Sequence, residues 1–348
     1  MKGTILTALA AGALILAGCT KTEVTDVPDS RAISFDNFVT NAVKAPIDQN
    51  KDLTKFFVYG GYTSTEVFNN QEVNVAWDAG GTSTCTYTPA KYWTENETYY
   101  FAAYSDGNDK IKIENNVTFD LASGHLTISN YTVDASDDDL IYSYADNSGS
   151  GYWYDVNTPM NPVPFDFKHI LSKVTFKFSK AADLNGTKLT INNFSVNLKI
   201  TGTFTGTDLS GATQYPLRTW TASASTSAFT AFSNASLTLN DDVTAGQPVT
   251  TAETGFTAIP QSVASYTISF DVTYTDPTDK TGKTGKFNVS IEGTDGNNWN
   301  PGYHYIYTAE IKAVNLDLEP IVFTVNTVGT WDEKTVDDII GNTEGIIQ

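Results

Sequence analysis

Four stretches of this chain place apolar residues at every second position. They are Val174, Phe176 and Phe178; Tyr266, Ile268, Phe270, Val272 and Tyr274; Phe287, Val289 and Ile291; and Ile321, Phe323 and Val325. Side chains of a strand point alternately to its two faces, so this spacing predicts β-strands with one buried face. In the first three stretches the interleaved positions are Thr, Lys, Ser, Asn or Asp, which predicts a wet outer face and antiparallel sandwich pairing. Two other runs, Lys55 to Tyr62 and Tyr99 to Tyr104, are apolar at nearly every position and predict strands covered on both faces. Turn residues punctuate the pattern at Asp106-Gly107-Asn108, Asn185-Gly186, Asp276-Pro277 and Asp295-Gly296-Asn297. Helical spacing is confined to Asp332 to Ile340 and is weak there, so the expected fold class is all-β.

The N-terminus breaks this pattern. Lys2 is followed by an uncharged apolar run from Ile5 to Ala17, too short for a permanent membrane helix, which needs about 20 such residues. It has the form of a secretory signal, and Leu16, Ala17, Gly18 and Cys19 complete a lipobox in which the Cys19 thiol receives a diacylglycerol. Residues 1–18 are then a lipoprotein signal peptide, and acyl chains hold the remainder at a membrane surface without spanning it. The other reading is an ordinary secreted protein in which Cys19 is incidental. Residues 19–31 form a polar tether containing Pro28. Three prolines between Asn157 and Pro164 interrupt strand pairing and suggest one sandwich over 32–160 and a second over 161–348.

Charge narrows the partners. The chain carries 21 Lys and Arg against 40 Asp and Glu; without Lys2 of the leader this is 20 against 40. Nucleic acids and anionic lipid faces need a basic surface, so neither is an expected partner. Of the two cysteines, lipidation uses Cys19 and leaves Cys85, in the predicted strand Thr84 to Tyr87, as a buried small hydrophobe with no intramolecular disulfide.

Catalytic patterns are missing from the sequence. His125, His169 and His304 fall in separate strands with no second ligand at metal spacing, so structural roles are expected and no metal or other cofactor is implied. The acids Asp134, Asp137, Asp138 and Asp139 could ligate calcium, yet they lack the spaced Gly and distal Glu of a calcium loop and read as a solvated loop ahead of Leu140. No phosphate loop or nucleophile with its base is legible, so the chain is not read as an enzyme. Tyr152, Trp153 and Tyr154, between Gly151 and Asp155, form one loop suited to stacking against a sugar ring.

Several segments in order resemble a known family. They are the lipobox, the short tether, Arg31 ahead of Ala32 to Phe35, the segment Asp139 to Tyr142, the run Phe165 to Phe178, the run Trp299 to Ile311, and Val328 to Trp331. This order is similar to that of the fimbrillin-like proteins, subunits of type V pili. The resemblance implies two transthyretin-like antiparallel β-sandwich domains in tandem and export as a lipoprotein to the outer membrane. It also implies cleavage between Arg31 and Ala32 by an arginine-specific or trypsin-like protease, after which subunits join by strand exchange. The partners would then be other copies of this chain or related pilins, with a host glycan or protein as an adhesive target. Ile321, Phe323 and Val325 are a candidate donor strand, or close their own domain. A non-polymerising anchor or glycan-binding adhesin is the other class the sequence allows.

Overall fold

The structure, a computed structural model, describes residues 31–39, 53–79, 82–107, 116–133, 139–146, 161–206, 218–229, 236–241, 246–249, 255–264, 266–275, 281–291, 298–316, 321, 323–330 and 341–342. The earlier strands are β1 (Phe35–Val39), β2 (Lys55–Tyr62), β3 (Thr65–Trp77), β4 (Ser83–Thr86), β5 (Tyr99–Ser105), β6 (Val117–Asp120), β7 (His125–Thr132), β8 (Ile141–Asp146) and β9 (Val163–His169). There follow β10 (Ser172–Lys180), β11 (Leu189–Leu198), β12 (Thr201–Gly206), β13 (Arg218–Ala222), β14 (Ser227–Phe229), β15 (Leu237–Leu239), β16 (Gln247–Pro248), β17 (Phe256–Ala258) and β18 (Gln261–Ser262). The last are β19 (Tyr266–Thr275), β20 (Gly282–Ile291), β21 (Asn298–Trp299), β22 (Tyr303–Ile311), β23 (Phe323–Thr330) and β24 (Gly341–Asn342). The chain is all-β, arranged in several sheets.

Seven strands in the order β1-β9-β8-β5-β2-β3-β4 form the largest sheet. One face of it is a continuous apolar surface built from Phe35, Phe56, Phe68, Phe101, Phe165 and Phe167, all drawn from this same sheet. A sheet can bury one face against itself only by curling. Here the curl brings the end strands β1 and β4 together, where Asn37 Nδ2 donates to Ser83 Oγ at 3.2 Å and Cys85 Sγ at 3.1 Å. The opposite face carries Phe57, Tyr59, Tyr104 and Tyr142, covered by the four-stranded sheet β13-β12-β7-β6 with Leu126, Ile128 and Phe204. Gly206 is required at this contact, because a Cβ there would lie 2.5 Å from the Tyr142 ring.

Downstream, Val174, Phe176, Phe178, Tyr305, Tyr307 and Phe323 face Phe194, Val196, Ile268, Phe270 and Phe287 in a two-sheet core. The predicted alternation of β19 and β20 is observed, as is the two-sided burial of β2 and β5. β10 departs from expectation: of its two predicted wet positions, Thr175 is fully buried and Lys177 half-buried, and the flanking Lys173 and Ser179 are buried as well. The reason is its central place, paired to β22 on one side and to β16 and β17 on the other. Pairing is also not antiparallel throughout, since β1 with β9 and β10 with β22 run parallel. β9, just after the expected division at 160/161, pairs only with β1 and β8 among the described residues, while β12 pairs with β7. Ile200, between β11 and β12, packs against both the downstream core and the core under the four-stranded sheet.

Candidate functional site

The segment from Arg31 to Val39 is held by three kinds of contact, each traceable to its sequence. Alternation within Ile33, Phe35 and Asn37 turns these three side chains inward, where they are 2%, 5% and 7% exposed. Phe35 is ringed by Phe68 at 5.3 Å, Tyr87 and Phe165 at 5.5 Å, Phe101 at 6.1 Å and Phe56 at 6.3 Å between ring centroids. Burying such a side chain contributes about 1.5–3 kcal/mol. Ser34 accepts from the Val163 amide at 2.8 Å, and the parallel ladder with β9 then runs from Phe35 opposite Val163 to Val39 opposite Phe167. Asn37 spans the seam to β4, as described above.

Ahead of β1 the chain lies against residues 91–93. Ala32 forms an antiparallel bridge with Tyr92, the Trp93 amide donates to the Arg31 carbonyl at 3.1 Å, and the Ile33 amide donates to the Lys91 carbonyl at 2.8 Å. The Tyr87 hydroxyl donates to the Ile33 carbonyl at 2.6 Å and accepts from the Lys91 amide at 3.3 Å. Burial raises the Tyr87 phenol above its ordinary pKa, so it remains a donor at neutral pH. The Arg31 guanidinium lies 4.0 Å from Glu95, with the two side chains 38% and 50% exposed. Sequence reasoning singled out Arg31 and Ala32 but not Tyr87, Trp93, Glu95 or Asn37. Tyr87, Trp93 and Glu95 stand about 55 to 65 positions from Arg31 along the chain, and only the folded sheet brings them to the segment, while Asn37 lies within it and shows its role only once β4 is alongside.

Elsewhere the sequence-derived candidates are dispersed. Phe323 begins β23, where it is fully buried, and Ile321 just before it is 1% exposed. The Val325 backbone is in register with Tyr307 of β22. Cys19, Tyr152, Trp153, Tyr154 and Asp134, Asp137 and Asp138 lie outside the described residues. Asp139 is not solvated as expected: it is fully buried, 2.8 Å from His169 Nδ1, with its other oxygen accepting from the Leu140 amide. His304 Nε2 is 2.9 Å from Thr175 Oγ1, and burial, with Lys173 and Lys177 nearby, lowers its pKa to about 3. Cys85 is part-buried, and burial raises its pKa, opposed by the Asn37 hydrogen bond, which makes it a poor nucleophile. No group of three or more His, Cys, Asp or Glu side chains is disposed to hold a metal among the described residues.

What the arrangement offers is a closing strand next to a basic residue in a backbone-paired segment. A crystal structure of a fimbrial protein from Bacteroides vulgatus shares the fold with a TM-score of 0.57 at 14% identity, over 86% of this chain and 99% of that one. A fimbrial assembly protein from Parabacteroides distasonis aligns over 89% of this chain and 98% of its own, at 12% identity and a TM-score of 0.45. Among curated proteins none matches. The family model described as fimbrillin-like matches residues 40–331. That span covers most of the chain, so the chain belongs to the fimbrillin-like family.

Proposed function

We propose that this chain is a structural subunit, stalk or tip, of a type V pilus. In this reading Cys19 is lipidated and carries the precursor to the outer membrane, and an arginine-specific or trypsin-like protease cuts between Arg31 and Ala32. Subunits then join by strand exchange with copies of themselves or related pilins, through two transthyretin-like sandwiches. The observation that carries it is the setting of β1. Cleavage after Arg31 cuts the chain three residues ahead of Phe35, which makes a five-residue edge strand terminal. Its ladder partner is β9 alone among the described residues, and its other neighbour is reached through Asn37. A strand that replaced β1 would find the unpaired edge of β9 and an aromatic slot lined by Phe56, Phe68, Phe101 and Phe165, the requirements for β-augmentation.

One observation favours the second reading, a non-polymerising anchor or an adhesin that holds glycan at Tyr152 to Tyr154. β23, which contains Phe323 and Val325, is already committed to β22, so we assign it to closing its own sheet and place the donor elsewhere. Treating the purified precursor with an arginine-specific protease separates the two. A subunit that polymerises yields SDS-resistant ladders once Arg31 is cut, whereas cut protein that stays monomeric sinks the stalk assignment. Loss of acyl labelling in a Cys19→Ser variant tests the lipid step independently.

A further inference from the structure

Resting on the reading that Arg31 is the processing site, we infer that the folded chain keeps the Arg31–Ala32 bond closed, and that cleavage waits on local opening of residues 31–33. The hydrolysis breaks the bond between the Arg31 carbonyl carbon and the Ala32 nitrogen. Water, with the protease as catalyst, supplies the hydroxyl that makes Arg31 a carboxylate and the proton that makes Ala32 an amine. A protease acting on an acyl carbon must direct its own N–H donors at the carbonyl oxygen. Here that oxygen already accepts from the Trp93 amide at 3.1 Å.

The rest of the scissile segment is occupied in the same way. Proteases take substrates as extended strands paired along the backbone, and Ala32 is already bridged to Tyr92. Two residues past the bond's acyl side, Ile33 is 2% exposed, with its amide on the Lys91 carbonyl and its own carbonyl on the Tyr87 hydroxyl. The Arg31 side chain is 38% exposed, so the specificity-bearing group is presented while the bond to be cut is withheld. The clasp is short, however. It consists of two backbone hydrogen bonds, one phenol and one anchored Ile, and it can open without disturbing the β1–β9 ladder that begins at Phe35. Cleavage of a transiently opened segment tracks the population of the open form, so each lost contact should speed the cut.

The test uses the full-length precursor and an arginine-specific endoprotease. The sequence holds two arginines, Arg31 and Arg218, so Arg218 in β13 serves as an internal control. The rate at which the Ala32 N-terminus appears is followed by mass spectrometry, alongside hydrogen exchange at the Trp93 amide. Tyr87→Phe keeps the ring and deletes the hydroxyl; removing one such bond should speed cutting at Arg31 by about 2–10-fold. Ile33→Ala should speed it by at least about tenfold, and in both variants Trp93 exchange should rise with Arg218 unchanged. Equal, prompt cutting of the parent and both variants overturns the clasp and leaves the processing reading standing. Arg31 uncut in all three over a day overturns the processing reading and the clasp together. If Ile33→Ala loosens the whole fold, Arg218 accelerates as well, and the Tyr87→Phe comparison decides.

Discussion

The curled N-terminal sheet and the downstream sandwich are both filled with aromatic residues, yet they hold their closing strands differently. β1 is joined to β9 by five parallel register pairs and reaches β4 through one side chain. β23 is joined to β22 by seven antiparallel pairs, and β24 covers part of its far side. Parallel ladders are slightly less stable per residue, and β1 is the shorter strand. The closing strand of the N-terminal sheet is therefore held by fewer and weaker pairs than that of the sandwich.

The largest effect should come from breaking the more firmly held strand. Phe323 is fully buried against Phe176, Phe178 and Phe270, and Phe323→Ala should lower the unfolding free energy by about 3–5 kcal/mol. Urea unfolding measures it. A loss below about 1 kcal/mol would mean that the site collapses freely and that β23 does not close the sandwich.

Next comes the seam. Asn37→Ala removes donors to Ser83 and Cys85 across the β1–β4 junction and should weaken the N-terminal sheet by about 2 kcal/mol. Hydrogen exchange should accelerate in β1 while β22 and β23 keep their protection. Uniform acceleration across both regions would dissolve the contrast between them.

How much of this was readable beforehand follows from the range of each interaction. Alternation within Tyr266 to Tyr274 and Phe287 to Ile291 marked β19 and β20, because each strand's faces are set by its own residues. The unbroken apolar runs of β2 and β5 likewise announced two-sided burial. By contrast, the covered outer face of β10 depends on His304, about 130 residues away, and on β17. Asp139 looked like the end of an acidic loop, and only the arrival of His169, thirty residues on, makes it a buried partner. Arg31 was legible as a basic residue ahead of a strand. The parallel pairing of that strand, and the clasp from Tyr87 to Trp93, were not, since neither leaves a periodic mark on the sequence.

Acid should separate the two regions again, with a comparable effect. His304 sits in the sandwich with a pKa of about 3 against an ordinary 6.5, so the unfolded chain binds more protons between those values. Its contribution is fully present above pH 6.5 and is lost as the pH falls toward 3. At pH 5 the penalty should be about 2 kcal/mol. Urea midpoints at pH 7 and pH 5 should diverge less in His304→Gln than in the parent. An unchanged pH dependence would shift the acid sensitivity to groups other than His304.

The smallest effect belongs to the most conspicuous contact beside the Arg31–Ala32 bond. Arg31 and Glu95 are 4.0 Å apart and substantially exposed, and ion pairs in water contribute about 0–1 kcal/mol after screening and side-chain entropy. Glu95→Gln keeps the shape and removes the charge, so stability should change by less than about 0.5 kcal/mol. Cutting at Arg31 should then change by less than about twofold, and its salt dependence should stay flat. A change larger than that of Tyr87→Phe would place the hold on residues 31–33 in the ion pair instead of the backbone. The distinction matters physically: a charge clasp would loosen with ionic strength at the cell surface, whereas a backbone clasp yields only when residues 91–93 let go.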